Sequence, residues 1–304
     1  MIDLIYLLLK PLLPWFDIAG LIEISIVEPQ FICLEIEDRG YIRKEAPDLT
    51  YDYWEKTLFA LANVNGVYFD VFNQPKLSII LPGEHRLEAM LGNHVDKKIS
   101  ISIRMKKFNQ KKITDFGINS ELADWLIGTV QQGCNCVISG GTSSGKTTFL
   151  NTLLSYIPAS KRILTVEDTR ELFFKNNDFS CHYILNRNEK NTNIGYQEVI
   201  DHIVRSRPDV LIVGEISVAN AYAVLRLLNS GHRGFFCTIH ANDASSAIQW
   251  AFPQNVQLSG IEPAHVVGWL TNALDLVVQL GSQPKVKYVK EIYEPKCNKV
   301  IYSA

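Results

Sequence analysis

Between residues 23 and 38 the chain alternates apolar and polar side chains on both sides of Pro29, and Gly40 follows. A period of two broken by proline predicts two half-buried strands. Residues 51–64 change to a helical period, with Leu58, Leu61 and Ala62 on one face. Further β-type stretches come at 67–72, 77–81 and 99–104, so the first third reads as a small α+β domain. Past residue 120 the pattern changes. Short apolar runs at 136–139, 163–167, 210–214 and 235–239 lack polar alternation and are separated by helical patterns. Strands buried on both faces look like this, so an α/β domain around a parallel sheet is expected. Residues 106–114 hold four lysines and little pattern, as a solvated connection does. The expected organisation is an N-terminal domain over 1–106, a linker over 107–119 and a second domain over 120–304.

The first 15 residues are apolar, with Leu4, Leu7 and Leu8 at i, i+3, i+4 spacing. Asp3 stands where a signal peptide carries basic charge, Lys10 interrupts the run, and Pro11 and Pro14 follow. A short helix lying on its own domain is therefore expected in place of a signal peptide or a membrane span, with peripheral membrane contact as the alternative. Of 304 residues 47% are hydrophobic, and the formal charge is -2. Two cores are affordable on that composition, but no global basic field exists to hold nucleic acid. Cys33, Cys134, Cys136, Cys181, Cys237 and Cys297 form no C-x-x-C pair, so reduced, buried thiols in a cytosolic protein are expected.

One motif carries chemistry on its own. Gly140-Gly141-Thr142-Ser143-Ser144-Gly145-Lys146-Thr147 matches the phosphate-loop pattern G-x-x-x-x-G-K-[ST]. A strand pattern precedes it and a helical pattern over 148–156 follows. Glycines let the backbone N–H groups turn inward, and the helix beginning near Thr148 adds its positive end. Lys146 is expected to reach the β and γ phosphates and the Thr147 hydroxyl to ligate magnesium, which makes Mg2+ with ATP the expected ligand set.

Phosphoryl transfer to water further needs a group that positions the water, a metal and positive charge. The run 210–215 ends in Glu215 at the expected sheet edge, the first candidate for polarising the attacking water. Many ATPases end this strand in aspartate; Gly214 stands here, so Glu167, Asp168 and Glu171, after the run 163–167, are the candidates for holding magnesium, through water. His232 and His240 bracket another apolar run, and the pair is expected around that same edge, with His240 sensing the γ-phosphate. Their spacing does not suit a helical zinc pair. Arg205 and Arg207 before Pro208, with Arg86 and Arg104 in the first domain, are the candidate cations.

In order, the phosphate loop, Glu167-Asp168-Thr169-Arg170-Glu171, the segment 207–215 and the segment 231–242 resemble the Walker A, Asp box, Walker B and His box of the type II/IV secretion ATPase superfamily. The segments 11–26, 83–87 and 101–104 resemble the N-terminal domain of the traffic ATPases of type IV secretion systems. Type II secretion motors usually carry a tetracysteine zinc module after the His box, where this chain has only Cys297. The resemblance implies a RecA-like P-loop NTPase domain, α/β, preceded by a smaller α+β domain, with nucleotide held between the two. It implies a Mg-dependent ATPase working as a homo-hexamer at the cytoplasmic face of a bacterial inner membrane. Its partners would be other type IV secretion ATPases and inner-membrane components, its task the export of protein or DNA or the assembly of a pilus. Arg86 and Arg104 would contact nucleotide from the first domain and Arg207 would act within the second. A type IV pilus motor and a ring-shaped nucleic-acid translocase are the alternatives; direct nucleic-acid binding is not expected to be primary, because no aromatic stacking run accompanies the linker lysines. The family usually has Arg-Gly-x-Glu where Ser217-Val218-Ala219-Asn220 stands here.

Overall fold

The computed structural model describes residues 2–37, 39–106, 111–174, 178–185, 194–256, 260–283 and 286–304. Two compact units result, one up to Lys106 and one from Lys111 onward. In the first, β1 (Leu21–Ile26), β2 (Phe31–Ile36), β3 (Gly40–Glu45), β4 (Lys76–Leu81), β5 (His85–Leu91) and β6 (Ile99–Arg104) pair antiparallel in the order β3-β2-β1-β6-β5-β4. Alternation puts Ile24, Ile26, Ile32, Leu34, Ile101 and Ile103 into one core with Trp54, Leu58 and Leu61 of the helix Tyr51–Val64. Thr50 starts that helix, its hydroxyl accepting from the Tyr53 N–H at 3.1 Å.

Two local expectations fail here. Residues 67–72 form no strand: Asp70 Oδ1 accepts from the N–H groups of Phe72 and Asn73 at 3.0 and 2.7 Å, which closes a turn. In the first helix, Ile2–Leu8, it is Ile5 that is buried, followed by Leu9 and Leu12, while Leu4 and Leu7 are exposed. The turns after the helix carry Leu9 and Leu12 into the core and so select the face that Ile5 shares with them. The strand β3 was not legible because it is almost wholly exposed and carries no apolar alternation.

The second unit holds β7 (Cys136–Gly140), β8 (Ile163–Glu167), β9 (Cys181–Ile184), β10 (Val210–Val213), β11 (Phe235–His240), β12 (Leu276–Gln283), β13 (Val286–Glu294) and β14 (Lys299–Ser303) in the order β14-β13-β12-β7-β11-β10-β8-β9. Pairing is parallel from β12 to β9, and β13 and β14 add an antiparallel flank. Alternate residues of each central run enter different cores. Val137, Leu211, Val213, Phe235 and Cys237 pack with the helix Ala221–Leu228; Cys136, Ile138, Val210, Ile212 and Phe236 pack with the helices Lys146–Leu154 and Ser120–Gln131. Burial on both faces is why these runs show no period of two.

Ile113, Phe116 and Ile118 are buried in this second unit, with Phe116 edge-on to Phe149 at 4.9 Å. The stretch 107–119 is therefore core rather than solvated linker from Ile113 on; 107–110 lie outside the described residues. The six cysteines are free, but only Cys134, Cys136 and Cys237 are buried, whereas Cys181 and Cys297 are exposed. Burial pushes the Cys134 thiol up to about 12 and raises Cys136 and Cys237 too, which keeps them unreactive. Among the described residues no helix is long and apolar enough to cross a membrane.

At the amino ends of the parallel strands, the buried Asn135 side chain ties three segments. Its Nδ2 donates to the carbonyls of His232 and Ala273 at 3.1 and 3.0 Å, and its Oδ1 accepts from the Phe235 N–H at 3.1 Å. Asn135→Ala leaves three main-chain groups unpaired and is expected to destabilise the second unit by about 2–4 kcal/mol, read as a lower urea midpoint at unchanged slope.

Candidate functional site

The parallel register brings the carboxyl ends of the central strands to one edge. His240 is paired with Gly140, and Val213 with both Val166 and Cys237. At that edge β7 gives way to a loop and then to the helix Lys146–Leu154, whose first turn includes Thr147 and Thr148. The loop turns through left-handed backbone at Ser143 (φ 56°) and at Gly145 (φ 91°), the residue that starts the helix. A side chain on Gly140 would meet Ser144 Oγ at 2.5 Å and the Leu280 carbonyl at 3.0 Å, so the loop closes only over glycine. Gly141, Thr142 and Ser143 are exposed, while Ser144 and Lys146 are buried. An open rim of main-chain N–H groups beside the start of a helix is an anion cradle.

Lys146 points its ammonium back into this loop. Nζ donates to the carbonyls of Gly140 and Gly141 at 3.2 and 3.0 Å and lies 3.3 Å from His240 Nδ1. On the other side of the ring, His240 Nε2 lies 2.9 Å from Glu215 Oε1. An ammonium can only donate and a carboxylate can only accept, so the neutral Nε2–H tautomer satisfies both partners: Nδ1 accepts from Lys146 and Nε2–H donates to Glu215. Burial pushes the Lys146 ammonium below its ordinary value, and the Glu215 charge partly opposes this. Carboxylate, imidazole and ammonium thus form one chain across the ends of β10, β11 and β7.

Glu167 is placed differently. Its carboxylate is almost fully buried; Oε1 accepts from the N–H groups of Glu171 and Leu172, both at 2.9 Å. Oε2 is buried with no hydrogen-bond partner among the described residues and sits 3.8 Å from His182 Nδ1. One oxygen therefore folds the segment after β8, and the other is an orphan of the kind that a water or an ion explains. Gly214 lies against this side chain: a Cβ there would be 3.1 Å from Glu167 Cγ. An aspartate at the end of β10 would therefore crowd the Glu167 side chain.

Three positioning residues escaped sequence reasoning. Asn151 in the helix after the loop donates from Nδ2 to the Glu171 carbonyl and accepts at Oδ1 from the Phe173 N–H, both at 2.8 Å. Gln279 accepts from Ser139 Oγ at 2.5 Å and donates to the Ala241 carbonyl at 3.2 Å. Thr238 donates from Oγ1 to the Gly214 carbonyl at 2.7 Å. Gln279 had a visible signal, an amide inside the otherwise apolar run 276–280; Asn151 had none.

Two expected residues of this unit are not brought to this edge. His232 precedes β11, so it lies at the opposite end of the strand from His240, and the expected histidine pair at one edge does not exist. Arg207 precedes β10 and is separated from Glu215 by that strand, about 13 Å for its four residues. It takes the left-handed position (φ 53°) just past the end of the helix Tyr196–Arg205, a helix-terminating place that accounts for its backbone. Action of Arg207 at this chain's own phosphate loop does not fit that placement. Arg86 and Arg104 belong to the first unit and face one another across β5 and β6, with Arg86 Nη2 2.9 Å from Glu88 Oε1. Among the described residues no three His, Cys, Asp or Glu side chains cluster to hold a metal by themselves. The oxygen donors present, the Thr147 hydroxyl and the Glu167 carboxylate, suit a magnesium ion that keeps most of its waters and arrives with phosphates.

The family model described as "Type II/IV secretion system protein" matches residues 82–282. The type IV secretion system protein VirB11 of Bartonella quintana is 26% identical, over 94% of this chain and 92% of the relative. A probable conjugal transfer protein TrbB of Sinorhizobium fredii is 31% identical, over 73% of this chain and 67% of the relative. Among solved structures, the VirB11 ATPase of the Brucella suis type IV secretion system, in complex with sulphate, superposes with a TM-score of 0.50 at 22% identity. That match covers 95% of this chain and 97% of the other. The shared fold is a RecA-like P-loop α/β domain that follows a smaller α+β domain.

Because Glu167 occupies the space beside residue 214, Gly214→Asp is expected to crowd a buried carboxylate with a second one. It should cost at least about 1–3 kcal/mol in stability, with Gly214→Ala intermediate. Thermal unfolding of both variants checks this; an unchanged midpoint for Gly214→Asp would refute the steric account.

Proposed function

The chain belongs to the type II/IV secretion system protein family, the secretion ATPases, and on that premise we propose that it hydrolyses ATP to power a type IV secretion machine. The observation that carries the proposal is the Glu215–His240–Lys146 chain beside the phosphate loop. In the free protein, Lys146 spends its donors on two loop carbonyls and a ring nitrogen. A triphosphate in the cradle offers charge-assisted acceptors that are stronger than these, so the ammonium turns outward to the β and γ phosphates. His240 then loses the donor at Nδ1 and is free to reorganise toward the γ-phosphate, which couples phosphate occupancy to Glu215 through Nε2–H.

Glu215 is half-exposed at the end of β10, where its carboxylate can take a proton from the attacking water. Lys146 and the loop N–H groups stabilise charge on the phosphate oxygens. Bound with the nucleotide, magnesium supplies further positive charge; Thr147 is its proposed protein ligand, with Glu167, Asp168 and Glu171 as the acids on the water side. Glu167 Oε2, buried and unpartnered, is the best placed of these. Arg86 and Arg104 are the proposed phosphate-binding cations of the first unit. The proposed assembly is a homo-hexameric ring at the cytoplasmic face of the inner membrane, working with the other ATPases and membrane components of the machine to export protein or DNA.

Two variants test the chemistry. Lys146→Ala should abolish ATP turnover by the purified protein. Glu215→Gln should bind ATP as tightly as wild type and hydrolyse it at least ~10²-fold more slowly. Wild-type turnover no faster than Lys146→Ala would end the enzyme reading, and a Glu215→Gln rate equal to wild type would move the base to Glu167 or Glu171.

A further inference from the structure

Glu215 does not lie in a strand or a helix. The strand β10 stops at Val213, the next helix begins at Ala221, and 214–220 is irregular main chain. Its carboxylate is therefore only as well placed as the bonds that hold this segment. On the amino side, the Gly214 N–H donates to the Val166 carbonyl at 2.9 Å and the Gly214 carbonyl accepts from Thr238 Oγ1 at 2.7 Å. On the carboxyl side the Ile216 N–H donates to the Thr238 carbonyl at 2.8 Å, the Ser217 carbonyl accepts from the N–H groups of Asn220 and Ala221 at 3.1 and 3.0 Å, and one side chain adds two further bonds. Asn220, 1% exposed, donates from Nδ2 to the Glu215 carbonyl at 2.8 Å and accepts at Oδ1 from the Ser217 N–H at 3.0 Å.

Asn220 occupies the N-cap position of the helix Ala221–Leu228, where an asparagine side chain ordinarily accepts from the helix's own first N–H groups. Here it makes no such bond. Both ends of the amide are instead turned back onto the segment that bears Glu215. An amide is the only short side chain that supplies one fixed donor and one fixed acceptor at this separation. An aspartate would keep the acceptor and set a carboxylate against the Glu215 carbonyl; a glutamate, the residue usual at this point in the family resemblance, would do the same with a longer reach.

We propose that Asn220 is a positioning residue for the Glu215 carboxylate, taking over in this chain the fixing of the segment after β10. The inference rests on the reading of Glu215 as the group that polarises water. It follows that Asn220→Asp lets the 214–217 segment shift and loosens the Glu215–His240 contact while leaving the phosphate cradle, built from β7 and the helix Lys146–Leu154, in place.

The test compares steady-state ATP hydrolysis and nucleotide affinity for wild type, Asn220→Asp, Glu215→Gln and the double variant, all as the full chain. Asn220→Asp is expected to lower kcat at least ~10-fold with ATP affinity within about two-fold of wild type. Relative to wild type its rate should recover as pH falls, because a protonated carboxyl regains an O–H donor for the Glu215 carbonyl. In the Glu215→Gln background the same substitution should slow turnover no further. A wild-type kcat for Asn220→Asp, with Glu215→Gln slow, overturns this inference and leaves the Glu215 reading standing. Equal slowing in both backgrounds also overturns it, since Asn220 would then act on something else. A fast Glu215→Gln variant removes the premise instead. Should Asn220→Asp fail to bind nucleotide, Asn220→Ser, uncharged and too short to reach the Glu215 carbonyl, carries the same comparison.

Discussion

Everything at the site depends on the parallel register of four strands. Because β7, β11, β10 and β8 run the same way and are paired so that Gly140 meets His240 and Val213 meets Val166, their carboxyl ends finish at one edge. A one-residue slip of β11 would turn its side chains to the other face and carry His240 away from Lys146. What fixes the register is burial on both faces: alternate residues such as Phe235 and Phe236 fill two separate cores, so no shifted pairing satisfies both. Packing far from the chemistry thus decides which polar groups can meet.

The acids at that edge have divided their tasks according to exposure. Glu215, half in water, faces a histidine and stays available to solvent. Glu167, out of water, is held by two N–H groups through one oxygen and leaves the other without a partner. Its side chain lies against Gly214, where a Cβ would be 3.1 Å from Glu167 Cγ.

Much of this was legible in the chain. The phosphate loop, the buried strands and Glu215 follow from spacing and from apolar runs, because close packing on both faces leaves few alternatives. The polar groups that link elements were less legible. Asn151 and Thr238 act through contacts between segments distant in sequence, and no local period marks them. Arg207 and His232 failed for a related reason. Proximity in sequence to a strand does not say at which of its two ends a residue lies, and both of these lie at the amino one. In the first unit, β3 was invisible because an exposed edge strand imposes no pattern.

Glu215 and the phosphate loop are carried by main chain outside the strands, whereas His240 ends β11, Glu167 ends β8 and Lys146 begins a helix. Few bonds tie the segments after the strands: Thr238 holds Gly214 and Ile216, Asn220 braces 215–217 internally, Asn151 and Glu167 hold the segment after β8, and Gln279 holds Ala241. Each such bond is worth about 1 kcal/mol net, whereas displacing a central strand would cost most of the unit's stability. The molecule therefore has a stiff sheet and a set of separately tethered segments at its working edge. The proposed exchange of partners by Lys146, from loop carbonyls to phosphate, would perturb those tethers first and the sheet last. On the proposed function, a cycle of nucleotide binding and release would move the edge without disturbing the cores that set its register.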